Sequence, residues 1–341
     1  MKLRSRGLTV LLLVMAATLP DALLAVGQDP LSEVVGLFQE QEYKEVRQIL
    51  EALPEKSKRS GTALYYLGRL DLIDADHESA AKRLKEAIDV DPDNSECHYW
   101  LAVAVMRKVP YSNPLGRMTS AMRAMKEFNK AIELDPTNMR ARMTVFQMMA
   151  RSYGRGGAKK EALLEQARSI AEIDSIMGHV AHGTFYQFVK NDMERAGTQF
   201  ERGFGLAPRN RAAAISYADY LWHVGKKAEA IGVLQSFLQE MPDDKPANFS
   251  LGARIILSRR NYGTAREIFE RCLRLKSETG IPTEAMVRWC LGLIYHLTGQ
   301  QDGTQTEWSR VYELDRDFDR ILEATPQMSE LSSILDSLTT S

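Results

Sequence analysis

One pattern limits this chain more than any other feature. A small residue is followed by a large apolar one at four positions, a third at seven, and a proline at twelve. It occurs as Ala80, Leu84, Ala87 and Pro92, as Ala124, Phe128, Ala131 and Pro136, and as Ala196, Phe200, Gly203 and Pro208. It recurs as Ala230, Leu234, Phe237 and Pro242. Ala265, Phe269 and Cys272 continue the series without the proline, and Thr304, Trp308 and Val311 follow with Arg316 at its place. Val46, Leu50 and Leu53 form an early, degenerate copy. Offsets of four and seven put three side chains on one face of a helix. The small residue admits a neighbouring helix, the large one fills the space a turn later, and proline ends the unit because it cannot continue a helix.

Upstream of each such helix the sequence predicts another. Its core is YLGRL at Tyr66, WLAVAV at Trp100, SYADYL at Ser216, SLGARI at Ser250 and CLGLIY at Cys290. Leu67-Gly68, Leu251-Gly252 and Leu291-Gly292 repeat a large–small pair. Glycine inside a helix costs about 1 kcal/mol relative to alanine, so its return marks a close helix–helix approach. From Pro208 to Pro242 the period is 34 residues, enough for two helices and their turns.

This unit resembles the tetratricopeptide repeat. The resemblance covers residues 28–318 in about eight units and weakens at both ends. It implies an all-α fold, a right-handed superhelical solenoid of stacked antiparallel helix pairs, in which each hairpin's apolar face is covered by its neighbour. Beyond it, residues 319–341 carry Leu331, Ile334, Leu335 and Leu338 on one stripe, as expected of a C-terminal capping helix. The period breaks twice. An insertion near 107–123, with Pro110, Pro114 and Gly116, predicts a loop that leads into a lengthened helix. After Gly154, the next helix fits one register through Leu163, Ala167 and Ile170 and another through Leu164 and Ala171.

The N-terminus is of a different kind. Lys2, Arg4 and Arg6 precede an uncharged run from Leu8 to Leu19, and Ala25 and Gly27 supply small residues for cleavage. Residues 1–27 are therefore predicted to be a secretory signal peptide, which leaves an exported chain, periplasmic or secreted. An uncleaved N-terminal helix anchored in the membrane is the alternative. The chain has 44 Lys and Arg against 45 Asp and Glu, a balance that offers no surface for nucleic acid.

No metal, cofactor or catalytic constellation is nominated. His179 and His182 could share a helix face but lack further ligands. GRGGAKK at Gly154 lacks the strand and the Lys-Ser/Thr ending of a phosphate loop. Cys97, Cys272 and Cys290 are too few for a disulfide framework, and a Cys272–Cys290 bridge stays open beside two buried thiols. The resemblance instead implies a concave groove lined by first helices. The family's groove positions, carried onto units starting at 61, 95, 177, 211, 245 and 285, fall on Tyr65, Arg69, Tyr99, Arg107, Phe185, Phe188, Trp222, Phe249 and Trp289. Rings with occasional arginine favour a protein or peptide partner. The Lys/Asn set of the family's carboxylate-clamp subclass is missing. The expected function is a non-catalytic scaffold that holds a protein or peptide in this groove. A membrane-anchored envelope assembly or lipid-handling factor is the alternative, and an enzyme a minor one.

Overall fold

A computed structural model describes residues 30–154 and 158–339. The predicted signal segment, 1–27, lies outside the described residues. Among those residues the chain forms helices and no strand. The pairs run α1 (Pro30–Gln39) with α2 (Tyr43–Ala52), a short α3 (Glu55–Lys58), then α4 (Gly61–Ile73) with α5 (His77–Val90) and α6 (Ser95–Arg107) with α7 (Pro114–Leu134). They continue as α8 (Met139–Arg151) with α9 (Lys160–Ile173), α10 (Ser175–Phe185) with α11 (Met193–Leu206), and α12 (Arg211–His223) with α13 (Lys227–Glu240). The array ends with α14 (Lys245–Leu257) and α15 (Tyr262–Arg274), then α16 (Glu284–Leu297) and α17 (Gln301–Leu314), followed by α18 (Asp319–Ala324) and α19 (Pro326–Thr339). Each helix packs on the next, within a hairpin and between hairpins, so the apolar interior is a series of linked layers.

The repeated signature explains the packing. Ala80, Leu84 and Ala87 are fully buried, as are Ala230, Leu234 and Phe237. The recurring glycine of the first helix faces the large residue of the second. A Cβ on Gly68 would lie 2.7 Å from Leu84 Cγ, and one on Gly252 would lie 2.8 Å from Phe269 Cζ. Such spacing leaves no room for a side chain, which is why glycine persists there despite its cost in a helix. The prolines have a second role. Each lies two residues before a helix cap: Asn94, Asn138, Asn210 and Asp244 accept backbone N–H groups at their helix starts through side-chain oxygens. An N-cap of this kind contributes about 1 kcal/mol.

The two breaks resolve. The first insertion is a short turn followed by helix: Asn113 Oδ1 accepts Gly116 N–H at 2.8 Å, so residues 114–123 extend α7 and only 108–113 form the loop. In α9 the buried set is Leu163, Ala167 and Ile170, while Ala171 faces Gly178 so closely that a Cβ there would lie 2.4 Å away. At the C-terminus Leu331 and Ile334 are buried and Leu335 packs partly against the last layers, with α19 folded back onto α14 and reaching Trp222 of α12. The side chain of Leu338 is outside the described set. All three cysteines are free thiols in the interior.

The superhelix also closes on itself. Lys276 Nζ lies 2.9 Å from Glu42, and the Tyr111 hydroxyl donates to Asp315 at 2.7 Å, while Arg320 donates to the carbonyl of Tyr111. Units more than 200 positions apart in the chain thus meet across the axis.

Candidate functional site: the concave face

Between α8, α10, α12, α14 and α19 lies a half-open hollow of about 830 Å³. Its walls carry Phe188 and Trp222 beside Arg151, Asp219, Arg254 and Glu330. Phe188 is 37% exposed, and the Arg151 guanidinium sits 5.1 Å over its ring. Trp222 donates from Nε1 to Glu330 of α19 at 3.1 Å and is flanked by Lys227 at 5.0 Å and Arg254 at 5.6 Å. Arg254 is held in turn by Ser250 and Asp219. The hollow therefore has an exposed Phe188 ring and a half-buried Trp222 ring beside the Arg254–Asp219 ion pair and the cations Arg151 and Lys227.

The other predicted groove residues divide into two groups. Arg69 turns inward and is almost wholly buried. It stacks 3.5 Å from the Trp100 ring, 4.9 Å from Phe38, and donates to the Tyr65 hydroxyl at 2.9 Å. Tyr99 packs between Trp100 and Phe128, and Arg107 is enclosed enough that burial pushes its guanidinium down to about 10. Phe249 borders the hollow but its ring is buried against Phe269 at 5.5 Å. Phe185 and Trp289 pack inside the layers, 1% and 3% exposed, and do not present their rings to a groove. Phe185 ends α10 on its buried face with Ala181, and the π-helical turn Tyr186–Lys190 that follows carries Phe188 to the surface. At Trp289 the cause is Gly292, which lets Trp308 close in and donate to the Trp289 carbonyl at 3.2 Å.

Two features carried no periodic signal. The first is a strap, residues 275–283, between α15 and α16. The step from the start of α12 to that of α14 is 34 residues, but from α14 to α16 it is 39. The surplus crosses the hollow of the superhelix. Gly280, at φ +71°, abuts the end of α4 so tightly that a Cβ would lie 2.4 Å from the Leu72 carbonyl oxygen. Ile281 and Pro282 form part of the 830 Å³ hollow's wall. The second is a set of arginines around the strap: Arg69 donates to the Glu278 carbonyl at 3.2 Å, and Arg140 and Arg211 each lie 3.8 Å from the Glu278 carboxylate. A lengthened repeat was the one sequence clue to the strap.

Metal chemistry finds no support in this geometry. His179 Nδ1 pairs with Gln199 at 2.8 Å and His182 Nδ1 with the Gly178 carbonyl at 2.9 Å. No group of three or more metal-ligating side chains occurs among the described residues. Burial pushes the Cys97 and Cys272 thiols up to about 12, so neither is a nucleophile near neutral pH.

Residues 65–138 match the family model for the tetratricopeptide repeat. A TPR repeat-containing protein of Treponema pallidum (strain Nichols) is 27% identical over 190 residues, which are 54% of this chain and 20% of that protein. The chain thus spans about a fifth of the length of the curated relative it matches. A thermophilic TPR protein of Thermus thermophilus, known from a crystal structure, is 16% identical, with a TM-score of 0.45 over 57% of this chain and 97% of that one.

Proposed function

Because the chain is a tetratricopeptide repeat protein, we propose that it acts without catalysis, as an exported scaffold that holds a protein or peptide segment on its concave face. Proteins of this family generally mediate protein–protein interaction. The observation that carries the reading here is the half-open hollow of about 830 Å³, with the exposed ring of Phe188 and the half-buried ring of Trp222 beside arginines. A site of this size and mixed character suits a short run of peptide side chains. Aromatic anchors next to arginine are where binding energy concentrates. Export rests on the predicted leader, residues 1–27, and the mass of the native N-terminus tests it directly.

The binding test is a peptide-display selection on the chain from residue 28, counter-screened on a Phe188→Ala/Trp222→Ala variant. Selected peptides should bind the parent and lose about tenfold or more in affinity on the variant, the cost of one or two anchors at ~1.4 kcal/mol per decade. Peptides that bind both forms equally, or a selection that enriches none, would overturn the reading.

A further inference from the structure

The strap places a carboxylate where a partner's would go. Glu278 is approached from three separate first helices: Arg69 of α4 donates to its backbone carbonyl, and Arg140 of α8 and Arg211 of α12 face its carboxylate. These are 71 positions apart in turn, so no local pairing explains their convergence. Their hold on Glu278 is loose. Each carboxylate oxygen faces one guanidinium at 3.8 Å, beyond hydrogen-bond reach, and the Glu278 side chain keeps 39% of its surface exposed. Bidentate arginine–carboxylate contacts form at about 2.7–2.9 Å, so the site is occupied below its capacity. Arg69 has a different part. It is 4% exposed, stacks on Trp100 and donates to the Tyr65 hydroxyl and the Glu278 carbonyl, so it ties down the strap's backbone while leaving the carboxylate to Arg140 and Arg211. The arginines have other acidic neighbours, Glu96 near Arg140 at 3.6 Å and Asp244 beside Arg211, which orient them without closing the cluster.

We propose that Arg140 and Arg211 form a receptor for the side-chain carboxylates of an acidic peptide segment, and that Glu278 on the 275–283 strap, whose backbone Arg69 anchors, is a built-in competitor that holds the receptor shut. This rests on the concave face being a peptide site, and it names the chemistry of the peptide. A tethered competitor acts at an effective concentration of about millimolar order. Even a weak internal contact therefore suppresses free acidic ligands, which bind in proportion to the fraction of strap-released molecules. Specificity follows as well, since a neutral segment gains nothing from displacing Glu278.

The test uses fluorescent hexaglutamate and hexaglutamine peptides with the full chain and a Glu278→Gln variant. Hexaglutamate should bind Glu278→Gln about tenfold or more tightly than the parent, and adding Arg140→Gln and Arg211→Gln should abolish the gain. Hexaglutamine should bind neither form. Glu165→Gln on α9, which removes the same charge from the convex side, should leave affinity at the parent value. Equal hexaglutamate affinity in parent and Glu278→Gln, no binding to either, a gain that survives loss of both arginines, or the same gain from Glu165→Gln would each overturn the proposal. Equal competition by inorganic phosphate would do so too, since it would mark a general anion site. Retained binding of display-selected peptides by the arginine variant would then show that the peptide-site reading stands without this one.

Discussion

Substituting alanine at Gly292 sets two opposed effects against each other. Alanine is favoured over glycine inside a helix by about 1 kcal/mol, so propensity alone predicts stabilisation. The packing predicts the reverse. The new Cβ would lie 2.3 Å from Trp308 Nε1 and 2.4 Å from its Cδ1, where ordinary contact begins at 3.4 Å. The indole would have to retreat by about an ångström, a forced repacking of the kind that costs ~1–3 kcal/mol. It is fixed by its hydrogen bond to the Trp289 carbonyl at 3.2 Å and by stacking near Trp289 and His296. Losing the hydrogen bond costs a further ~0.5–1.5 kcal/mol. The sum favours packing, and Gly292→Ala should destabilise by about 1–3 kcal/mol net. Gly232 is the control: it lies in α13 with no atom within 4 Å of where a Cβ would stand, so Gly232→Ala should stabilise by up to ~1 kcal/mol. Urea unfolding followed by far-UV circular dichroism gives the overall midpoint, and tryptophan fluorescence in a Trp100→Phe/Trp222→Phe background reports on the Trp289–Trp308 layer. If Gly292→Ala stabilised the chain as Gly232→Ala does, the close-approach account of the recurring glycine would be refuted.

Other expectations separate residues that looked alike in the sequence. Phe249→Ala should cost ~3–5 kcal/mol in urea unfolding because its ring is buried against Phe269, whereas Trp222→Ala should stay within about 1 kcal/mol while weakening peptide capture; equal losses would contradict their different burial. Gly280→Ala combines a positive φ with a Cβ 2.4 Å from Leu72 O and 2.8 Å from Ile73 Cα, so the strap should lift off. Amide exchange across 275–283 should then rise by about tenfold or more, with ~1–2 kcal/mol lost, and unchanged exchange would argue against the wedge. Burial, and then the nearby Arg107, hold His77 down to about 4 from 6.5. The unfolded chain therefore takes up this proton first as pH falls from 6.5 to 4, and stability should drop by up to ~3 kcal/mol over that window. His77→Gln should flatten that part of the profile, and an identical slope in the variant would remove His77 as its source.

The hairpins were legible because their determinants are local. A small residue, a large one and a glycine meet at helical spacing within a single unit, so Ala80, Leu84 and Gly68 could be placed from sequence alone. The strap was not legible, because Gly280 and Leu72 come together only after the superhelix has turned back on itself, and nothing periodic links them. The groove was legible in part. A first helix exposes some positions to the hollow and turns adjacent ones into the layer, and small register shifts exchange the two. The π turn Tyr186–Lys190 is one such shift and leaves no pattern in the sequence, whereas the Trp308–Gly292 contact belongs to the repeat signature. Arg211 opened a predicted unit but fell outside its groove positions, and Arg140 lay where no unit start was assigned; their significance rests on Glu278, supplied from the strap.

The stack of hairpins closes, with the strap laid across its hollow from the far end of the chain to the near one. Zero-length carbodiimide coupling measures this directly, since it joins an amine to a carboxylate only in contact. With Lys276 Nζ 2.9 Å from Glu42, digestion and mass spectrometry should recover a peptide joining these two residues, at a yield like that of the local Lys130–Glu133 pair at 2.8 Å. Coupling at Lys130–Glu133 with none between Lys276 and Glu42 would mean an open spiral, and the closed account would fail.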